Sequence, residues 1–118
     1  MDPPTPNVTR MDVERVLRRD FPAERFAALL NTLDEYGAMD WEPERERVQL
    51  AILKLAAGDP DKVRDALETA KCDFRFVLSP AEFPGYEKCT FRLSTIRPDE
   101  RQQIIDADWQ RYQKWLTR

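Results

Sequence analysis

Histidine is absent from the 118-residue chain, and that absence removes more chemistry than any residue present supplies. Serine–histidine and cysteine–histidine nucleophilic pairs, histidine-ligated zinc and histidine general bases all need an imidazole. Two cysteines, Cys72 and Cys89, fall short of a four-thiolate zinc site. They either pair as a disulfide or stay as two reduced and mostly buried thiols, and a reducing compartment favours the thiols. The three glycines, Gly37, Gly58 and Gly85, are too scattered for a phosphate-cradling loop, which sets aside the common nucleotide-binding motifs. Carboxylate, lysine, arginine, tyrosine and thiol chemistry remain, without a local signature, and no cofactor is implied.

Long apolar runs are missing as well. A membrane-spanning helix needs roughly 18 apolar residues. The longest run here, LAILKLAA from Leu50 to Ala57, is interrupted by Lys54. The opening MDPPTPNVTR lacks the basic and apolar regions of a secretory signal, so a cytoplasmic protein without a membrane partner is expected. Without export, the glycosylation sequon Asn7-Val8-Thr9 carries no meaning. A net charge of -3 gives no electrostatic footprint for nucleic acid. The charge is slightly uneven. Residues 21–43 hold five acids against Arg25 alone, and residues 89–118 hold six basic residues against four acids.

What the chain does contain is typical of helices: 42% hydrophobic and 35% charged residues, in a length suited to one domain. Residues 1–9 are proline-rich and polar, and are expected to form a disordered lead-in to a single helical domain over 10–118. Thr9 and Asp12 have capping-box spacing, and Val13, Val16 and Leu17 predict a first helix ending near Phe21. Asp20 and Pro22 then suit the start of a second, with Phe26, Leu29, Leu30, Leu33 and Tyr36 at helical spacing before Gly37. A third helix begins after Pro43 and is apolar on nearly all sides from Val48 to Ala57, as a central helix should be. Gly58-Asp59-Pro60 combines a stop, a cap and a first-turn proline. A fourth helix follows, carrying Val63, Leu67, Ala70, Phe74, Val77 and Leu78. Ser79-Pro80-Ala81-Glu82 fits a new capping box closed by Pro84-Gly85.

Cys89, Phe91 and Leu93 alternate with polar residues, so a short extended segment near 88–95 is expected. It would either lie on the bundle or pair with the alternating Phe74, Phe76 and Leu78. A last helix over 98–117 carries Ile104, Ile105, Trp109, Tyr112, Trp115 and Leu116. The predicted fold is all-α: a compact bundle of about five helices around a central antiparallel hairpin over 44–84.

The stretch ERVQLAILKLAAGDPDKVRDALETAKCDFRFVLSPAEFP, Glu46 to Pro84, resembles the core of small bacterial helical proteins of unknown function. Their pattern is close to RVQLA.LKL..GD..KLR...E.A..DYRDVL..AEYP. The resemblance spans about a third of the chain and implies an all-helical, cytoplasmic, bacterial protein, with no activity attached. The tyrosine and second aspartate of DYRD are Phe74 and Phe76 here, the aromatic of EYP is Phe83, and Pro80 stands where the pattern runs on in helix.

Three groups of residues are candidates for function. Asp73, Arg75 and Glu82, with Gln49 and Lys54 nearby on helix three, would bring two carboxylates beside an arginine for acid–base work or a divalent metal. The plainer alternative is an Arg75–Glu82 ion pair with Asp73 in solvent. Lys54 is either a buried amine with a depressed pKa or a lysine reaching out from a partly exposed edge. Trp109, Tyr112 and Trp115 form an aromatic stripe that either packs on its own bundle or docks on a protein partner or a second copy. Trp41, in the acidic connection Asp40-Trp41-Glu42-Pro43, is either a lid over the core or an exposed recognition aromatic. The function expected is a non-catalytic protein-interaction or accessory module. A small enzyme or metal-dependent protein built on Asp73, Glu82 and Arg75 is the rival.

Overall fold

A computed structural model describes residues 3–89 and 95–118. Among these residues the fold is all helical, with seven α-helices and one short 3₁₀ turn in place of the five helices expected. Helix α1 spans Arg10–Asp20 and starts at the predicted box, with the Thr9 N–H donating to Asp12 Oδ2 at 2.9 Å. A 3₁₀ turn, Ala23–Arg25, leads into α2, Phe26–Leu33. Asp20 does not cap this unit. Its carboxylate is gripped by Arg19 at 2.8 Å through both Nε and Nη2.

Helix α3, Arg45–Ala56, is the centre of the molecule. It packs against α1, α4 and α5 together, which is why every side chain from Val48 to Leu53 is buried. Complete burial of Val48, Leu50, Ile52 and Leu53 contributes roughly 6–12 kcal/mol before entropy is counted. Ala57 and Gly58 then take left-handed backbone conformations, with φ of 51° and 85°. A β-carbon on Gly58 would also sit 3.1 Å from the Asp20 carbonyl oxygen. Helix α4, Pro60–Cys72, starts as expected: Asp59 Oδ1 accepts from the Asp61 N–H at 3.0 Å, and Pro60 occupies the first turn.

The expected hairpin over 44–84 resolves into three helices. The fourth helix does not run on to Leu78. It ends at Cys72, and α5 covers Arg75–Glu82. Asp73 makes the break, its Oδ1 accepting from the Arg75 N–H at 3.0 Å. Phe74, Val77 and Leu78 keep helical spacing across the break, so the apolar stripe does not reveal it. The predicted capping box at Ser79–Glu82 is likewise not a helix start. Those residues form the last turns of α5, with Pro80 inside the helix, and the Ser79 carbonyl accepts from the Phe83 N–H at 2.9 Å.

Helix α6, Pro84–Lys88, is short, and α7, Pro98–Thr117, is the longest. Lys88 is therefore helical and Cys89 lies at its end. The remainder of the expected extended segment, Thr90 to Ser94, lies outside the described residues. Phe76 and Leu78 lie in α5, so the alternative strand partner is a helix. Helix α7 turns Ile105, Asp108, Tyr112 and Leu116 inward, and Arg19 closes its end by donating from Nη1 to the Trp115 carbonyl at 2.7 Å.

Candidate functional site

Three buried polar side chains join helices to one another. Gln49, surrounded by apolar residues on α3, donates from Nε2 to the Leu33 carbonyl at 2.9 Å and the Tyr36 carbonyl at 3.2 Å. Both acceptors lie where α2 runs out of internal partners. Its Oε1 accepts from Arg10, whose guanidinium also forks onto Asp34 at 2.7 and 2.9 Å. Burial pushes the Asp34 carboxyl up, but Arg10 and Arg45 outweigh it and hold the group below its ordinary range.

Glu82 is 2% exposed. Arg47 of α3 meets it in a fork, Nε to Oε2 at 2.7 Å and Nη2 to Oε1 at 2.6 Å. Burial pushes the Glu82 carboxyl above its ordinary value, against the pull of that guanidinium. Asp108, in the middle of α7, accepts from the N–H groups of Gly85 at 3.1 Å and Tyr86 at 2.9 Å, and from Arg111 at 2.9 Å. It caps α6 from another helix.

The Asp73, Arg75 and Glu82 group is therefore divided. Asp73 binds Arg75 through both oxygens at 3.0 and 2.7 Å, and Glu82 binds Arg47. No hydrogen bond or ion pair joins Glu82 to Asp73 or Arg75 among the described residues, nor does any cluster of acids and thiols there suit a metal ion. Arg47 and Asp108 were not singled out in the sequence. Asp108 had a signal, because it falls in register with Ile105, Tyr112 and Leu116 on the buried stripe. Arg47 had none beyond its place in the resembling core.

The aromatic candidates are divided too. Tyr112 is buried, and its hydroxyl has no hydrogen-bond partner among the described residues. Trp109 and Trp115 are partly exposed. The Trp115 ring lies 5.5 Å from the Tyr112 ring and 5.5 Å from the Arg19 guanidinium. Trp41 does not cover the core. It is 75% exposed.

The connection that carries Trp41 is held from both sides. Glu42 Oε1 accepts from the N–H groups of Gly37 at 3.1 Å and Met39 at 3.2 Å, and the Tyr36 hydroxyl donates to the Pro43 carbonyl at 2.7 Å. Burial, with Glu42 and Glu44 nearby, raises the Tyr36 phenol to about 12, so it remains a donor. Trp41 lines a groove of about 300 Å³ between the connection and the α4–α5 junction. Tyr36, Ala70 and Phe74 supply its apolar lining, with Glu42, Lys71, Asp73 and Arg75 as its charged lining.

Among the described residues, no helix is long and apolar enough to cross a membrane. Comparison with protein families, curated proteins and solved structures finds no match to the chain.

Proposed function

We propose that the chain is a cytoplasmic protein-interaction module that engages its partner through Trp41 and the groove beside it. The observation that carries this reading is a tryptophan 75% exposed on a connection fixed by Glu42 and Tyr36. An indole left in water by a flexible loop loses ordering entropy when it docks. One carried on a backbone that is already held in place loses less. Covering it would contribute ~3–5 kcal/mol, taking 150–250 Å² for a tryptophan at 25 cal/mol per Å². That is the size of an interface hot spot. No disulfide joins Cys72 to Cys89, which suits a reducing compartment, although Cys72 is exposed and Cys89 only partly buried where mostly buried thiols were expected.

The partly exposed Trp109 and Trp115 favour a second copy of the chain as the alternative partner. The resemblance to small bacterial helical proteins brings no activity to weigh against either reading. The carboxylate reading has less support, because Asp73 and Glu82 are each committed to a different arginine.

Trp41→Ala tests the proposal. The expected result is an unchanged melting temperature, loss of the partner captured by the wild-type chain from its own cells, and unchanged sedimentation. A partner retained by Trp41→Ala refutes the groove. Concentration-dependent association that Trp109→Ala abolishes transfers the interface to α7.

A further inference from the structure

A second cavity, distinct from the Trp41 groove, lies where the ends of α1, α3 and α7 meet. It holds about 390 Å³ and is lined by Asp20, Lys54, Ala57, Gly58, Trp115 and Arg118. Lys54 projects from the last turn of α3 into this partly buried setting, with no hydrogen-bond or ion-pair partner among the described residues. Partial burial disfavours the charged form of its ammonium. The acids around it are already engaged. Asp20 is forked by Arg19 and approached by Arg118 at 3.7 Å. Asp108, the acid whose charge reaches Lys54, is held by Gly85, Tyr86 and Arg111.

We propose that this cavity binds a small organic carboxylate, its anionic end on Lys54 and Arg118 and its apolar body along Trp115. Arg19 already balances Asp20, so Lys54 and Arg118 leave the cavity positive and suited to an anion, and Trp115 is what favours a carboxylate over a bare phosphate. The Trp115 indole gives an apolar body a surface that a bare anion would not use. Burial lowers the Lys54 pKa, with Asp108 opposing and Arg111 assisting, and a bound carboxylate would raise it again.

The test uses benzoate as the probe on the full chain, at constant ionic strength made up with chloride. The Trp115 indole N–H resonance is followed by NMR. The expected result is a saturable shift at Trp115, at least about tenfold weaker in Lys54→Met and unaltered in Trp41→Ala, a tenfold change corresponding to about 1.4 kcal/mol. Arg118→Gln alters an exposed side chain and carries the test should Lys54→Met not fold; it should weaken binding several-fold. Absence of a saturable shift, or equal affinity in Lys54→Met and Arg118→Gln, overturns the site. Inorganic phosphate binding more tightly than benzoate overturns the assignment to a carboxylate.

Discussion

Removing one side of the Arg47–Glu82 pair should cost far more than removing both. Glu82 is 2% exposed, and the Arg47 side chain retains 20%. The fork at 2.6 and 2.7 Å satisfies both carboxylate oxygens. Glu82→Ala leaves a largely dehydrated guanidinium with only the longer contact to Glu44 at 3.7 Å. Breaking such a pair from one side costs roughly 3–5 kcal/mol, and the water that still reaches Arg47 places this case near the lower end. For a domain of this size ~3 kcal/mol lowers the melting temperature by about 10–15 °C. Arg47→Met should cost about as much at neutral pH, for a different reason, since it strands a carboxylate.

That stranded acid gives the second variant a pH signature. Burial already raises the Glu82 pKa in the fold, and loss of Arg47 raises it further. A group whose folded value exceeds its unfolded value favours the fold below the unfolded value and loses that contribution as pH rises through the folded one. The Arg47→Met deficit should therefore be smallest near pH 4.5 and grow towards neutrality. Arg47→Met/Glu82→Leu should return to within about 1 kcal/mol of the wild type, a coupling of at least ~2 kcal/mol. Urea unfolding of the four proteins measures it. A coupling below ~0.5 kcal/mol, or an Arg47→Met deficit independent of pH, would refute the reasoning.

Gly85→Ala should destabilise by about 1–2 kcal/mol even though alanine favours helix, because its β-carbon would lie 2.9 Å from Asp108 Oδ1. In an Asp108→Ala background the same substitution should cost nothing, and thermal melts of the four variants check this. In alkali, Tyr36 has a folded pKa of about 12 against an ordinary 10.0, so its contribution is complete below pH 10 and is lost between pH 10 and 12. Tyr36→Phe should unfold less steeply over that interval, as followed by circular dichroism.

Features set by neighbouring residues were legible in the sequence. The α1 start needs only Thr9 and Asp12, and the α4 start only Asp59 and Pro60, so local spacing was enough. The all-round apolar character of α3 likewise marked it as central. Ser79-x-x-Glu82 misled because a separation of three is both capping-box spacing and ordinary helical adjacency. What separates the two readings is the destination of the carboxylate, and Glu82 goes to a residue thirty-five positions away. Asp73 ended α4 with a bond to its own neighbourhood, hidden beneath a continuous apolar stripe. Trp41 shows the limit of composition: an indole beside a proline and acids suits a lid as well as an exposed anchor, and only its 75% exposure in the fold distinguishes them.

Gln49, Glu82 and Asp108 each cross a different seam: α2 to α3, α3 to α5, and α6 to α7. A stripe of leucines and valines can slide by one turn, about 5.4 Å, and still bury most of its surface. The same slide carries every one of these bonds out of reach and leaves its groups dehydrated and alone. The three side chains act as dowels at the joints, so misaligned packings of the same helices are penalised where oil-like contact alone would tolerate them.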